Sequence, residues 1–213
     1  MKPSWRAPAI AAAVSAILGS RAAAQNPQTS SEGPSFTSIG TYAIAFPVGD
    51  THRFVPNVSW FGAGWEGQWL VRPYTAAGAA ITVNDFFDAT HGTTTFPSGA
   101  ATGFQNRELL VVTVMGTGRW NPHHLLGRGG WLGLGAGGEY VQQNYQLGVN
   151  SSFARNGMHF VLAPDIGVTT PIFDDVDLVF SARYTGATAA GSYLGGGSRR
   201  FGFVTFSIGM SEH

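Results

Sequence analysis

The chain reads as all-β: an eight-stranded, antiparallel, up-and-down transmembrane β-barrel. Three observations lead there. Eight segments alternate apolar, often aromatic residues with Gly, Ala, Thr or Ser, and period two is the mark of a strand. Charged residues make up 11% of the 213, under half of the roughly 25% usual in soluble domains. The apolar parity therefore faces the surroundings, and the surroundings are lipid. Finally, after residue 24 no apolar run reaches the ~20 residues of a spanning helix. A closed barrel is the other structure that satisfies every backbone group in lipid. The 30 Gly and 13% aromatics suit it, Gly for crowded lumen walls and Trp and Tyr for the two interfaces. The rival at the level of fold is a soluble, lipocalin-like barrel with its apolar parity inside.

The first residues read as a cleaved secretory signal, 1–24. Lys2 and Arg6 form a positive start, Ala9–Leu18 an apolar run too short to span, and Ala22–Ala24 a small-residue cleavage site. Residues 25–36 are polar and read as a flexible arm. The barrel domain occupies 37–213. Strand one is expected over Ser38–Phe46, with Tyr42, Ile44 and Phe46 outward. Pro47–Pro56 breaks the period and reads as a loop. Strand two, Val58–Arg72, sets Phe61, Ala63, Trp65, Trp69 and Val71 on one face and Gly62, Gly64, Glu66 and Gln68 on the other. After a short turn, strand three runs over Ala76–Phe87 with Ala79, Ile81 and Val83 outward.

Ala89–Asn106, rich in Gly, Thr and Ser, reads as a long loop. Strand four is Glu108–Trp120, with Leu110, Val112, Val114 and Trp120 outward and Thr113, Thr117 and Arg119 inward. Asn121–Gly129 connects it to strand five, Gly130–Asn144, whose Leu132, Leu134, Ala136 and Tyr140 face out and Gly133, Gly135, Gly137 and Glu139 face in. Tyr145–Arg155 reads as a polar loop. Strand six, Gly157–Pro171, points Phe160, Leu162, Ile166 and Val168 outward and Asp165 inward. A tight turn at Asp174–Asp175 leads to strand seven, Val176–Thr185, with Ser181 and Arg183 inward. Gly186–Arg199 is a Gly-rich loop, and strand eight is Arg200–Met210. Connections thus tend to alternate long and short, as extracellular loops and periplasmic turns do. The connection after strand four is the longer exception.

The stretches Ser59–Trp69 with Arg72-Pro73, Thr93–Gly99, Leu132–Gly137 with Tyr140, Ala163–Gly167 and Val204–Met210 carry a resemblance. The chain resembles, over roughly residues 37–211, the small eight-stranded outer-membrane barrels that include the OmpA membrane domain and OmpW-like proteins. The resemblance implies a Gram-negative outer-membrane location, contact with outer-membrane lipid and lipopolysaccharide, and insertion by the barrel-insertion machinery. The family usually ends its last strand on an aromatic. Here Met210 and Glu212 take the last outward places and His213 ends the chain, which leaves Phe206 as the aromatic of that signal.

Chemistry has few candidates. Glu66, Arg119, Glu139, Asp165 and Arg183 all fall on the inward parity. A barrel of eight strands is just wide enough for side chains to fill, so charges there must pair. They form either a rigid plug or a gate whose pairs exchange. Counted from strand ends, Asp165, Arg183 and Glu66 reach similar heights, with Glu139 somewhat higher and Arg119 down at the periplasmic mouth. That makes Arg183 the expected hub. His123-His124 sits in a connection without a third ligand, so no metal site is expected. Asp88, His91 and Ser98 assemble into a lipid-cleaving triad on paper only, and no catalytic or cofactor-binding residue is assigned. Gly133-x-Gly135-x-Gly137 and Gly195–Gly197 open no helix, so they are not phosphate loops; inward Gly makes room for larger groups. His159 is an inward filler. His52 and His91 lie in loops. Phe54, Phe96, Phe104 and Tyr193 are loop apolar residues that either pack loop on loop or meet a partner.

Without residues 1–24 the chain has nine Arg, no Lys and twelve acidic residues. It has no basic footprint for nucleic acid. The absence of Cys excludes a disulfide framework. The expected role is structural or surface-interactive, not enzymatic, with loops open to an extracellular partner. The alternatives are a narrow, porin-like channel for ions or small apolar solutes, and a lipid-modifying enzyme.

Overall fold

The computed structural model describes residues 36–96, 99–122, 126, 129–148, 151–173, 175–187 and 200–212, with 94–96 and 99–101 described by backbone alone. The signal segment, nearly all of the arm, His123, His124, Ser98, Gly195–Gly197 and Tyr193 lie outside the described residues. Eight antiparallel strands close into a barrel in chain order: β1 (Phe36–Pro47), β2 (Ser59–Arg72), β3 (Thr75–Phe96), β4 (Gly99–Trp120), β5 (Gly130–Leu147), β6 (Ser151–Phe173), β7 (Val176–Ala187) and β8 (Gly202–Glu212). β1 and β8 close the ring from Ser38↔Glu212 to Pro47↔Phe203. Among the described residues no helix is long and apolar enough to cross a membrane.

Parity holds as the alternation predicts. Leu134 and Val114 are each 56% exposed on the outer face, whereas Glu139 and Thr113 are 0% exposed within. The apolar belt is best measured on β4. Its outward residues are apolar or Gly from Leu110 to Trp120 and turn polar at Glu108 and Asn106. Ten steps of ~3.4 Å on a strand tilted by about 40° span about 26 Å, the height of an outer-membrane barrel's apolar band. The same boundary appears on β5 at Gln142 and on β6 at Asn156, register neighbours of Leu110 and of each other. Exposed rings mark both edges. Phe36, Trp69, Tyr74, Trp120 and Phe173 sit at the turn end, and Trp60, Phe61 and Phe87 toward the other. Trp60 and Phe61 both face out because the β1–β2 register shifts between Ala43 and Ala45, adding a residue to β2. The Tyr42 hydroxyl donates to the Trp60 carbonyl at that bulge.

Three expected loops change character. Ala89–Asn106 is not a loop: β3 and β4 stay in register from Ala89↔Asn106 to Phe96↔Gly99. Its Thr90, Thr93, Thr94 and Thr95 are β-branched and pair well, and the Thr93 and Thr102 hydroxyls lie 2.7 Å apart across the ladder. Tyr145–Arg155 likewise continues β5 to Leu147 and resumes as β6 at Ser151. Pro47–Pro56 contains a helical turn, α1 (Asp50–Phe54), which buries Thr51 and Phe54 in the barrel mouth. Thr51 Oγ1 accepts from the Gly202 amide at 2.8 Å and fixes the turn there. β3–β6 therefore rise as a tall wall above the other strands. At the far end of the chain, β8 begins at Gly202 rather than Arg200 and runs on to Glu212.

Candidate functional site

The lumen is filled in layers. Nearest the turns lie Ile39, Trp131 and Val179. Ala80, Met115 and Ala163 form a middle layer. Phe54, Val55, Phe86, Leu109, Phe201 and Phe203 belong to an upper apolar layer under the mouth. The charges sit low, between the first two.

Four of the five expected charges meet. Glu66 Oε2 accepts from Arg119 Nη2 at 2.8 Å and from Arg183 Nη2 at 2.9 Å. Asp165 Oδ2 lies 3.4 Å from Arg183 Nη2 and 3.9 Å from Arg119 Nε. Two guanidinium groups thus share two carboxylates, and the cluster is neutral. Glu66 Oε1 also accepts from Gln68. Trp131 Nε1 donates to Asp165 Oδ2 at 3.3 Å, and the Arg119 guanidinium lies 4.3 Å from the Trp131 ring centre. Cation–π contact and hydrogen bonds together satisfy charges that are costly alone.

Two expectations need correction. Arg119 is not too low: it is the second hub. Height counted from strand ends ignores the stagger of a closed barrel. Register partners run Arg119↔Gly133, Gly133↔Asp165 and Asp165↔Arg183, so all three side chains belong to one row. The same stagger removes Glu139. It stands six positions above Gly133 on β5, faces Thr113 across the ladder, and makes no ion pair among the described residues.

Gly133 is what lets the row close. A Cβ there would fall 2.0 Å from Asp165 Oδ1, so Ala would push the carboxylate from its place between the two Arg. Gly167 does the same for Trp131, whose ring lies 2.1 Å from where its Cβ would be. Trp131 went unnoticed as a lumen residue, yet it shares the parity of Gly133, which was the available signal. A cavity of about 30 Å³ adjoins Glu66, Arg119 and Arg183, with Thr82, Asn84 and Ser181 among its lining. That is room for a water or two, at roughly 10–15 Å³ each.

The remaining candidates separate. Asp88 is buried and accepts from Asn57 Nδ2 at 2.9 Å. His91, three residues on, has the opposite parity on β3, so the paper triad has no acid beside its His. His159 is a lumen residue at the mouth, its ring 5.1 Å from that of Phe201. Phe54 is a lumen plug and Phe104 an exposed wall residue.

A comparison by sequence finds no matching family model and no matching curated protein. Comparison by structure finds small barrels. The attachment invasion locus protein Ail of Yersinia pestis matches at 8% identity and a TM-score of 0.50, over 84% of this chain and 99% of that one. Neisserial surface protein A matches at 14% identity and 0.48, over 85% and 99%. OprG of Pseudomonas aeruginosa matches at 14% and 0.46, over 83% and 94%. With the ring topology, the belt and the likeness to Ail together, the fold is that of a small eight-stranded outer-membrane β-barrel.

Proposed function

We propose that this chain is an integral bacterial outer-membrane protein with a structural or surface-interaction role, and that its lumen is a static plug. The shared Glu66 Oε2 carries the reading. Both Arg converge on one oxygen, Asp165 braces both, and an apolar layer packs in the lumen above them. An exchanging gate would need a free acceptor within reach of an Arg, and Glu139 is six positions away from their row. The tall β3–β6 wall is the part offered to an extracellular partner. Two measurements test the proposal. Detergent-extracted protein should migrate faster on gels before heating than after, as folded membrane barrels do. Planar-bilayer recording should give only small, intermittent currents. Stable porin-sized steps would overturn the plug, and partition into the aqueous phase would overturn the membrane barrel.

One observation supports a second reading, a narrow path for small apolar solutes. Among the described residues, the β6–β7 ladder has no pair at Ala163 or Pro164, although Leu162↔Gly186 and Asp165↔Arg183 flank them. Pro has no N–H to give to a ladder, so the ladder is interrupted beside the cluster. Under this reading Pro164→Val slows uptake of a small alkane by cells producing the protein. Under the plug reading, uptake stays at background with either residue.

A further inference from the structure

We infer that His159 is a pH-operated latch on Glu139: once protonated, its ring turns from the barrel mouth onto that carboxylate and ties β6 to β5 beneath the mouth. The inference concerns the lumen above the ion cluster. It rests on the membrane reading only for the medium it senses, the extracellular one. Its starting point is an unanswered charge. Glu139 is 0% exposed, and neither of its oxygens meets a donor in good geometry among the described residues. Thr113 stands beside it on β4 and brings a hydroxyl but no charge. A carboxylate so placed is costly until a cation or a proton reaches it.

Register supplies the partner. Glu139 and His159 are paired across the β5–β6 ladder, on the same inward parity. Residues directly opposite hold their Cβ atoms about 4.5–5.5 Å apart, so a change of rotamer carries an imidazole nitrogen to the carboxylate. In the structure the ring is turned the other way. Its Nε2 lies 3.1 Å from where a Cβ on Gly157 would stand, one inward position nearer the mouth, and its centre lies 5.1 Å from that of the Phe201 ring. Gly157 thus leaves the room that the ring now uses. There His159 borders a cavity of about 60 Å³ with Gln143, Arg155 and Asn156. Arg155 and Asn156 are exposed, so protons from the medium reach the ring.

The two positions suit two charge states. Neutral imidazole packs on Phe201 without an ion to desolvate. Imidazolium is repelled by Arg155, its neighbour along β6. Phe201 attracts a cation weakly, and a buried carboxylate attracts it more strongly. Both ring nitrogens then donate, and one of them reaches a Glu139 oxygen, so the pair holds one proton between them. No other described group competes at this height. Asp88 and Arg107, with Tyr145, form a row nearer the top, where Asp88 accepts from Asn57 and Arg107 donates to the Phe54 carbonyl. Around His159, β7 brings Ala187, β8 brings Phe203 and α1 brings Thr51 and Phe54, none of them charged.

The test uses the full chain folded in detergent, with isotope-labelled His and Phe, and reads the nuclear Overhauser contact between the His159 and Phe201 rings. The His159 signals are those that vanish in His159→Gln. In wild type the contact should be present at about pH 8 and lost at about pH 5, either side of the range in which imidazole gains its proton. A contact from His159 to the Glu139 methylenes should replace it. Glu139→Gln should keep the Phe201 contact at both. A wild type that keeps it at about pH 5 overturns the inference, as does a Glu139→Gln chain that loses it equally. Should Glu139→Gln fail to fold, the wild-type spectra and urea unfolding of His159→Gln decide. That variant should lose about tenfold in the folding equilibrium against wild type at about pH 5, as loss of a hydrogen bond to a charged group does, and less at about pH 8, where the latch is open. An equal loss at both overturns the latch. A wild type that lacks the heat-dependent gel shift overturns the membrane reading instead, and is seen before any spectrum.

Discussion

Low in the lumen, four ionic side chains fill the barrel; high in the lumen, aromatic rings do. The two layers meet the same demand, a narrow lumen to be filled, by different means. The charged layer is directional. Glu66 Oε2 serves two donors within 0.1 Å of the same distance, and Gly133 leaves the space that lets Asp165 brace both. The upper layer depends on volume. Phe86 and Phe203 meet edge to face at 5.6 Å, and Phe54 enters from α1. A volume-filled layer that loses a ring keeps a cavity it closes only in part, whereas a neutral ion cluster that loses one member retains a buried net charge. The difference also concerns permeation. Weakening the rings leaves the ions in the way, while weakening the ions leaves space lined by small polar groups.

Removing each part in turn sharpens that contrast. Glu66→Ala should cost most, about 3–5 kcal/mol. It leaves Asp165, at 3.9 and 3.4 Å, as the one carboxylate paired with Arg119 and Arg183 among the described residues. Urea unfolding in lipid vesicles measures the loss, and a value near zero would mean that the cluster is solvated. Phe203→Ala should cost about 3 kcal/mol by the same assay, with no rise in planar-bilayer conductance. A rise would show that the ring layer, not the ions, is the seal. Arg183→Ala should cost about 2–3 kcal/mol, less than Glu66→Ala, because Arg119 stays on Glu66 and Trp131 on Asp165. This variant should conduct more than wild type. If it proves costlier than Glu66→Ala, the two Arg do not share the load. Gly133→Ala is the mildest, about 1–2 kcal/mol from overpacking. Pairing it with Arg183→Ala should give less than the sum, since both loosen Asp165, and strict additivity would separate Gly133 from the cluster.

Much of this was legible in the chain. Alternation located all eight strands and assigned Glu66, Arg119, Glu139, Asp165 and Arg183 to the lumen. Parity is a local property, carried by the pleat of each strand, so it survives without knowledge of neighbours. The ends of strands were less legible. Ala89–Asn106 lacks apolar alternation, its Ala89, Thr90, His91 and Thr93 are exposed on both parities, and the pairing partner of its Thr-rich half is the other half of the same segment. Helix α1 was hidden for a related reason. Its five residues are too few for a periodic signal, and it is fixed by contacts to Gly202, which lies 151 residues away.

By itself, then, the sequence determined the fold class, the strand count, the parity of every strand and the identity of the lipid face. All of these follow from backbone geometry and the transfer of apolar groups, which act residue by residue. Only the tertiary structure decided who meets whom in the lumen. The stagger of a closed barrel set Arg119, Asp165 and Arg183 in one row and raised Glu139 out of it. Stagger is a property of the closed ring of eight strands, so no single strand encodes it.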